Sequence, residues 1–317
     1  MRPLIATLTM NPTIDLASEA RAVQPVRKVR TFNERQDPGG GGVNVSRVVQ
    51  ELGGNTLAMI LAGGVTGSFL EELLDEAGVP RRSIPIVGRT RISQTVLDLA
   101  SGQEYRFVPE GPRISEVEWE AALAALEEVE ADWLVASGSL PAGVPEAFYA
   151  QAAKISARRR IRFVLDTSGA PLRVALEAGE VELAKPSRGE FEALVGRELR
   201  DWAELEEAAL EWVRSGRVRY LAVTLGHEGA LLATIEGALR LPALDVVVRG
   251  AVGAGDSFLA AMTLALAQGR TAADAFAWGV AAGTAAVSSA GTAHPKRAEV
   301  LAFRRRIHQI PAEVALG

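Results

Sequence analysis

The sequence predicts an α/β protein in which helices cover a parallel sheet, as a doubly wound or three-layer sandwich. Short, nearly continuous apolar runs favour strands that are buried on both faces. Helical patterns lie between successive runs, as expected of βαβ units. The chain has 317 residues, of which 48% are hydrophobic, so one large domain with a sizeable core is expected.

The elements are predicted from the apolar runs and from the residues that end helices. Ser115 followed by Glu118 forms a capping box, which predicts the start of a helix. Gly53 and Gly54 predict the end of an earlier helix. Residues 230–242 predict a hairpin with its turn at Glu236-Gly237. The apolar runs predicted as core strands are 4–10, 56–63, 132–138, 161–169, 181–187 and 220–226.

Two segments depart from this alternation and predict a separate layer. Residues 90–110 favour two half-exposed strands joined by a turn near Ser101-Gly102, and residues 16–38 are a second candidate for the same layer. Half-exposed strands need cover, which a lid over a site or a strand-mediated dimer contact supplies. We therefore predict a single domain, residues 1–317, with a small β-sheet lid and a homodimer formed through the lid strands.

Composition excludes several classes of function. The absence of cysteine excludes a disulfide framework and a thiolate zinc site, and His227, His294 and His308 lack metal-binding spacing. No apolar stretch reaches the ~20 residues that span a bilayer, and the first residues do not form a signal peptide. We expect a cytoplasmic protein that binds no membrane. The net charge of −5 argues against nucleic-acid binding, although local arginines can still hold a phosphate.

The stretch "RGAVGAGDSFLAAM" (249–262) places Asp256 between a glycine-rich turn and a long apolar run. One interpretation makes Asp256 an ordinary N-cap. In the other, N–H groups at the helix start form an anion hole for a phosphoryl group. Asp256 is then the base that accepts the proton of an attacking alcohol.

Four glycines in "DPGGGGVNVSRV" (37–48) precede a predicted helix. No Gly-Lys-Ser/Thr follows, which excludes a Walker A loop, and no buried strand precedes, which disfavours a dinucleotide fingerprint. The run is either a flexible turn or a surface against which a ligand lies, with Asn44 bonded to a sugar hydroxyl. Asp15, just past the first strand, is either an ordinary loop aspartate or an acceptor for two sugar hydroxyls.

Together, "PGGGGVNVSR" and "VGAGDSF" resemble the two signatures of the PfkB, or ribokinase-like, carbohydrate kinase family. The segments "NPTID", "SGSLPAGV", "DTSG", "KPSRGE" and "TLGHEGA" extend the resemblance over essentially the whole chain. It is strongest to the phosphosugar branch of the family. The resemblance implies a three-layer α/β/α ribokinase-like sandwich with a small β-sheet lid. It also implies ATP- and Mg²⁺-dependent phosphorylation of a sugar phosphate, and it admits a monovalent cation as a further cofactor.

The resemblance also assigns roles to individual residues. Asp256 is the implied base, and Gly253, Ala254 and Gly255 line the anion hole. The implied sugar-binding positions are Asp15, Gly40, Gly41 and Asn44. The implied phosphate-binding positions are Arg91 and Ser139, helped by Lys28 and Arg30 from a neighbouring subunit. The implied ATP-contacting positions are Lys185, Ser187, Thr224, Gly226 and Gly229. Glu190 and Asp166 are implied to organise magnesium, largely through water.

The sequence departs from the family pattern in two places. Ser187 stands where the family usually carries the asparagine of Asn-x-x-Glu, which leaves the role of Ser187 open. Arg249 and Gly250 stand where small hydroxyl residues are common, and Arg249 is expected to alter nucleotide contacts.

The glycine run also bears on the substrate. Relatives that act on fructose 1-phosphate or tagatose 6-phosphate usually carry Gly-Lys-Gly, with the lysine where Gly41 stands. The unbroken run resembles the minor bacterial 6-phosphofructokinase, so the expected reaction converts fructose 6-phosphate into fructose 1,6-bisphosphate. The alternatives are a tagatose-6-phosphate kinase or 1-phosphofructokinase. An alternative of another class is a sugar-phosphate or nucleotide sensor without turnover.

Overall fold

The computed structural model describes residues 3–248, 250, 252–288 and 294–309. Arg249 lies outside these residues. In chain order the strands are β1 (Leu4–Thr9), β2 (Thr13–Ala20), β3 (Thr31–Gly39), β4 (Asn55–Ala62), β5 (Arg81–Pro85), β6 (Arg91–Asp98), β7 (Glu104–Phe107), β8 (Trp133–Ser137), β9 (Arg162–Asp166), β10 (Val181–Ala184), β11 (Val218–Thr224), β12 (Ala230–Thr234) and β13 (Gly237–Leu241). The α-helices are α1 (Gly41–Glu51), α2 (Gly64–Glu76), α3 (Glu116–Glu128), α4 (Phe148–Arg158), α5 (Gly169–Ala178), α6 (Arg188–Val195), α7 (Trp202–Arg214), α8 (Ala254–Ala267), α9 (Ala272–Ser288) and α10 (Arg297–His308).

The core is a nine-stranded sheet with the strand order β13-β12-β11-β10-β9-β8-β1-β4-β5. Its strands are parallel except for β12 and β13, which form the predicted antiparallel hairpin at one edge. Neighbouring residues of β1 belong to different buried clusters. Ala6 belongs to the cluster that includes side chains of α3 to α7, and Ile5 belongs to the cluster that includes side chains of α1, α8, α9 and α10. The alternation of apolar runs and helical patterns therefore produces the predicted three-layer sandwich.

Glu118 confirms the capping box at the start of α3, because its carboxylate accepts hydrogen bonds from the amide and hydroxyl of Ser115, both at 2.7 Å. The edge strand β5 was not expected from the sequence. Its sequence, RRSIP, is too polar to resemble a buried strand, and an edge position tolerates such residues.

A second sheet of four strands, in the order β3-β2-β6-β7, stands apart from the core sheet. Strand β2 is parallel to β6 and antiparallel to β3, and β7 pairs with β6 as an antiparallel hairpin. Because β2 begins at Thr13, Asp15 is the third residue of a strand in this sheet. The expectation of a loop position for Asp15 is wrong: the chain re-enters a strand after only three residues.

None of the helices in the described part of the chain is both long and apolar enough to cross a membrane.

Candidate active site

Asp256 lies in the first turn of α8, as the third residue of the helix. The N-cap is Gly253, whose φ of 75° lies in the left-handed region that favours glycine. The interpretation of Asp256 as the N-cap is therefore wrong. Its Oδ2 instead accepts a hydrogen bond of 2.9 Å from Nδ2 of Asn44, which lies on α1. This bond joins the two glycine-rich motifs, which are more than 200 residues apart in sequence.

The environment of Asp256 makes it a stronger base than an exposed carboxylate. Burial and the nearby negative charge of Asp166 raise its pKa from 3.8 to about 6. The hydrogen bond from Asn44 and the charge of Lys185 oppose this rise. The carboxylate is therefore ionised at pH 7 and has a pKa close to the working pH, as a general base requires.

The start of α8 offers main-chain donors beside this base. The Ser257 amide forms an intrahelical bond of 2.8 Å to the Gly253 carbonyl. The amides that precede Ser257 lie in the first turn, where N–H groups have no partner within a helix. A Cβ atom placed on Gly255 would lie 3.1 Å from Nζ of Lys185, so the ammonium group lies against this turn. The arrangement suits an anion such as a phosphoryl group.

Three adjacent strands bring polar groups to the same end of the core sheet. Asp166 ends β9, Lys185 follows β10 and Thr224 ends β11. The Lys185 ammonium lies 3.2 Å from Oδ1 of Asp166, and the Thr224 amide donates to the Pro186 carbonyl. Burial alone would lower the pKa of Lys185, but Asp166, Asp256 and other carboxylates raise it above its ordinary value. Lys185 therefore stays positively charged at the carboxyl edge, where open α/β sheets bind ligands.

Ser187 is the N-cap of α6 and forms a capping box with Glu190. The Glu190 carboxylate accepts bonds from the Ser187 amide (2.7 Å) and hydroxyl (2.8 Å). The serine that departs from the family pattern is thus bonded to the carboxylate expected to organise magnesium. The contact between Ser187 and Glu190 could have been predicted from the sequence, because serine followed three residues later by glutamate is a capping-box pattern.

The carboxylates here fit magnesium as an ion held mainly through water. Within the described residues, no group of three or more histidine, cysteine, aspartate or glutamate side chains is arranged to hold a metal. Asp166 and Glu190 both act on the charge of Lys185 and so share this edge of the sheet. Magnesium is commonly bound by one or two carboxylates together with water and substrate phosphates.

The glycine run packs closely against its neighbours. A Cβ atom on Gly41 would lie 2.2 Å from Oγ of Ser137, and one on Gly42 would lie 2.5 Å from Oγ1 of Thr9. Gly40 caps α1 with a φ of 106°. The interpretation as a flexible turn is therefore wrong: these glycines allow α1 to begin directly against β1 and β8.

Arg91 and Ser139 are brought together by Asn11, which the sequence analysis did not select. Arg91 donates to the main-chain carbonyls of Asn11 (2.8 Å) and Pro109 (2.9 Å). The Asn11 side chain donates to the Glu110 carbonyl at 2.8 Å and to Oγ of Ser139 at 3.4 Å. The Nε of Arg91 is buried and bonded to none of the described residues.

Asp15 lies opposite Asp37 of β3 in the strand register. Burial and the charge of Asp37 raise the pKa of Asp15 from 3.8 to about 6, while Arg106, Arg91 and Arg47 lower it. Asp15 and Asn44 line one cavity together with Gly253 and Ser257 at the start of α8. Asp15, on the four-stranded sheet, therefore lies beside the first turn of α8.

The remaining predicted residues have different surroundings. Lys28 and Arg30 are exposed in the connection between β2 and β3. Gly226 starts a short 3₁₀ helix after β11. Gly229 follows that helix, and a Cβ atom there would lie 2.1 Å from the Leu241 carbonyl oxygen. Close packing against the end of β13 is therefore sufficient to require glycine at 229.

Comparison with known proteins supports this description. The model of the pfkB family of carbohydrate kinases matches residues 8–299. The chain is 42% identical over 304 residues to an ATP-dependent 6-phosphofructokinase isozyme 2 of Mycobacterium tuberculosis, covering 95% of this chain and 89% of that protein. It is 38% identical to the isozyme of the same name from Escherichia coli, covering 95% and 99%.

A solved structure and a further sequence relative are also phosphofructokinases. The solved structure of Escherichia coli phosphofructokinase-2 in complex with potassium matches with a TM-score of 0.94 and 36% identity, over 98% of this chain and 100% of that one. A 1-phosphofructokinase of Borreliella burgdorferi is 33% identical, covering 89% of this chain and 91% of that protein.

Proposed function

This chain belongs to the pfkB family of carbohydrate kinases, and from that premise we propose that it phosphorylates fructose 6-phosphate with ATP to give fructose 1,6-bisphosphate. The observation that carries the proposal is the hydrogen bond from Asn44 to Asp256 at the start of α8, because Asn44 and Gly253 line a cavity that Asp15 also lines. The family consists of carbohydrate kinases, and the matched 6-phosphofructokinases are ATP-dependent kinases of a sugar phosphate.

The chemistry follows from the geometry of this turn. The acceptor hydroxyl gives its proton to Asp256 while its oxygen bonds to the γ-phosphorus of ATP. The bond between that phosphorus and the β–γ bridging oxygen breaks, and ADP leaves. The main-chain amides of Ala254 and Gly255 and the charge of Lys185 stabilise the negative charge on the transferring group.

Arg91 and Ser139 recognise the phosphate already present on the sugar. Two bonds to main-chain carbonyls fix the Arg91 guanidinium, and each of its terminal nitrogens has a second N–H that can donate to an anion. Asp15 accepts hydrogen bonds from two sugar hydroxyls. Lys28 and Arg30, exposed between lid strands, complete the phosphate site of a neighbouring subunit.

The packing around Gly41 supports fructose 6-phosphate as the substrate. A side chain at this position would meet Ser137 Oγ at 2.2 Å and the Gly138 nitrogen at 3.0 Å, so a lysine has no room without a backbone shift. Phosphate recognition is therefore assigned to Arg91 on the lid. Fructose 1-phosphate and tagatose 6-phosphate remain the alternative substrates, since a matched relative is a 1-phosphofructokinase.

Magnesium completes the nucleotide side of the proposal. Asp166 and Glu190 would hold it through water, and the ion would neutralise charge on the ATP phosphates. Lys185, Ser187, Thr224, Gly226 and Gly229 are the proposed ATP contacts. A monovalent cation is proposed as a second ion, because the matched Escherichia coli structure contains potassium.

A homodimer formed through the lid is the proposed assembly. Several apolar side chains of the lid sheet are exposed, which is unusual for a protein surface left uncovered in solution. They are Phe32, Ile92, Leu99, Tyr105, Phe107 and Val108.

A substrate panel tests the function. Purified protein is assayed for ADP release with fructose 6-phosphate, fructose 1-phosphate, tagatose 6-phosphate and unphosphorylated fructose. The proposal predicts the highest kcat/KM for fructose 6-phosphate, and a higher value for either other phosphosugar would replace it. The absence of ADP release with every sugar would favour the sensor alternative, whereas equal release by the wild type and Asp256→Asn would remove Asp256 from the mechanism.

A further inference from the structure

Arg47 is a buried arginine to which the reaction described above gives no role. It lies on α1, and its side chain is only 9% exposed. One guanidinium nitrogen lies 2.9 Å from Oδ1 of Asp37, and the other donates to the Pro38 carbonyl at 3.1 Å. Its Nε is buried and bonded to none of the described residues. Because arginine is almost never this deeply buried unless paired, the contact calls for a specific explanation.

The position of Arg47 connects the two carboxylates of the site. Arg47 follows Asn44 by three residues, so both lie on the same face of α1. Asn44 holds the base Asp256. Arg47 holds Asp37 of β3, which lies opposite Asp15 in the strand register. One helix therefore contacts the base directly and the sugar-binding strand pair through a buried ion pair.

We propose that Arg47 is a positioning residue, which fixes lid strand β3 against α1 and neutralises Asp37 so that Asp15 stays ionised and oriented toward the sugar. The assignment of Asp15 to the sugar rests on the proposed function. The attachment of β3 to α1 does not.

The charges around Asp15 explain why neutralisation matters. Asp37 faces it from β3, Arg91 from β6, Arg106 from β7 and Arg47 from α1. Asp256 interacts with it from α8, and His294 lines the same cavity. Helix α2 packs against β2 through apolar side chains, Phe69 and Leu70 among them. Burial and Asp37 raise the pKa of Asp15 and the three arginines lower it, so losing Arg47 moves that pKa upward.

The test combines two measurements on purified full-length variants. The first is binding of fructose 6-phosphate by calorimetry, without ATP, between pH 5 and pH 8. The second is hydrogen exchange of residues 31–39 in the ligand-free protein. The variants are Arg47→Met, Arg47→Lys and Asp37→Asn, with Arg214→Met, exposed at the end of α7, as the control for loss of an arginine.

Arg47→Met is expected to weaken sugar-phosphate binding at pH 7 by at least about tenfold, the usual effect of losing a hydrogen-bonded charge. As the pH is lowered, this variant should lose binding at a higher pH than the wild type does. Hydrogen exchange at residues 31–39 should also accelerate. Arg47→Lys should restore the pH dependence but only part of the affinity, because lysine lacks the planar fork. The control variant should match the wild type in both measurements.

The variant Asp37→Asn tests the electrostatic part of the proposal, the neutralisation of Asp37 by Arg47, even if Arg47→Met does not fold. Removing the neighbouring charge should shift the loss of binding to lower pH, and an unchanged pH dependence would overturn the proposal. A folded Arg47→Met with wild-type affinity and wild-type exchange would also overturn it. If the wild type binds and turns over no phosphosugar, the proposed function fails, whereas exchange at 31–39 still decides whether Arg47 holds the strand.

Discussion

Asp256 and Asp15 have the same raised pKa, about 6, but they belong to different parts of the molecule. Asp256 stands at the start of α8, whose residues 257–266 are buried in the sandwich. Asp15 stands on β2 in a four-stranded sheet that exposes several apolar side chains. Burial is the main cause of both shifts, but three arginines oppose the shift of Asp15, whereas one lysine and an amide hydrogen bond oppose that of Asp256.

Under the proposed function, this difference separates the groups that act in the chemical step from those that recognise the sugar phosphate. The sandwich holds Asp256, the first-turn amides and Lys185 in a densely packed frame, as the chemical step requires. The four-stranded lid sheet carries Arg91 and Arg106, whose positive charges suit a sugar phosphate, and Asp15, whose carboxylate suits sugar hydroxyls. Substitutions in the sandwich should therefore lower kcat, and substitutions in the lid should raise KM for the sugar phosphate.

The largest expected effect is that of Asp256→Asn. The amide keeps the shape of the side chain but accepts no proton, so kcat should fall by about 10²–10⁴. KM for both substrates should change little, because the variant removes an interaction needed in the transition state. Steady-state ADP release measures both constants, with Asp201→Asn, at the exposed N-cap of α7, as the matched control. A kcat within threefold of the wild type would remove Asp256 from the mechanism.

Asp15→Asn should act mainly on KM for the sugar phosphate rather than on kcat. The loss of a charged acceptor for sugar hydroxyls is expected to raise KM for fructose 6-phosphate by about 10- to 100-fold, with a smaller change in kcat. KM for ATP should stay near the wild-type value, since Asp15 lies on the lid. If kcat falls while KM is unchanged, the proposed division between lid and sandwich is wrong.

Asp256→Asn should also stabilise the protein at alkaline pH. The pKa of Asp256 is higher in the folded protein than its ordinary 3.8, so its stabilising contribution is present below pH 3.8 and is lost as the pH rises through about 6. Two units of pKa correspond to at most about 3 kcal/mol, and partial exposure of the side chain reduces this to about 1–2 kcal/mol. Urea unfolding at pH 8 and pH 4 measures the effect, which should vanish at pH 4. Equal stability of the two proteins at pH 8 would contradict the burial of this charge.

The pH dependence of kcat/KM gives the smallest expected difference between the wild type and Asp15→Asn, but it is the most specific one. Both aspartates must be ionised, so activity should fall below about pH 6, with a logarithmic slope approaching two. In Asp15→Asn the slope should fall to one, because only the base then titrates. A slope of one in the wild type would mean that a single carboxylate controls the reaction.

Much of the sandwich, and the helix that begins after the glycine-rich turn at 253–255, was predictable because the signals are local. Asp256, Gly253 and Lys185 lie in short motifs at the ends of strongly apolar runs, and parallel strands bring such ends together. The glycine run was recognised, although its close packing involves Ser137 and Thr9, which are distant in sequence.

The connections within the lid could not be predicted in this way. Asp37 and Asp15 become neighbours only through the β2–β3 register, and Arg47 reaches them only after α1 packs against the core. Asn11 links Arg91 to Ser139 across 80 and 128 positions of the chain. Such contacts follow from long-range pairing, and no periodicity in a single sequence encodes the partner of a buried arginine or asparagine.

The most direct test is a crystal structure of the protein with fructose 6-phosphate and a non-hydrolysable ATP analogue. The account predicts an Asp256 oxygen within about 2.6–3.2 Å of the acceptor hydroxyl, with the γ-phosphate at the first turn of α8 and Arg91 on the sugar phosphate. A bound sugar whose hydroxyls lie far from Asp256, with that carboxylate bonded only to protein groups, would contradict it.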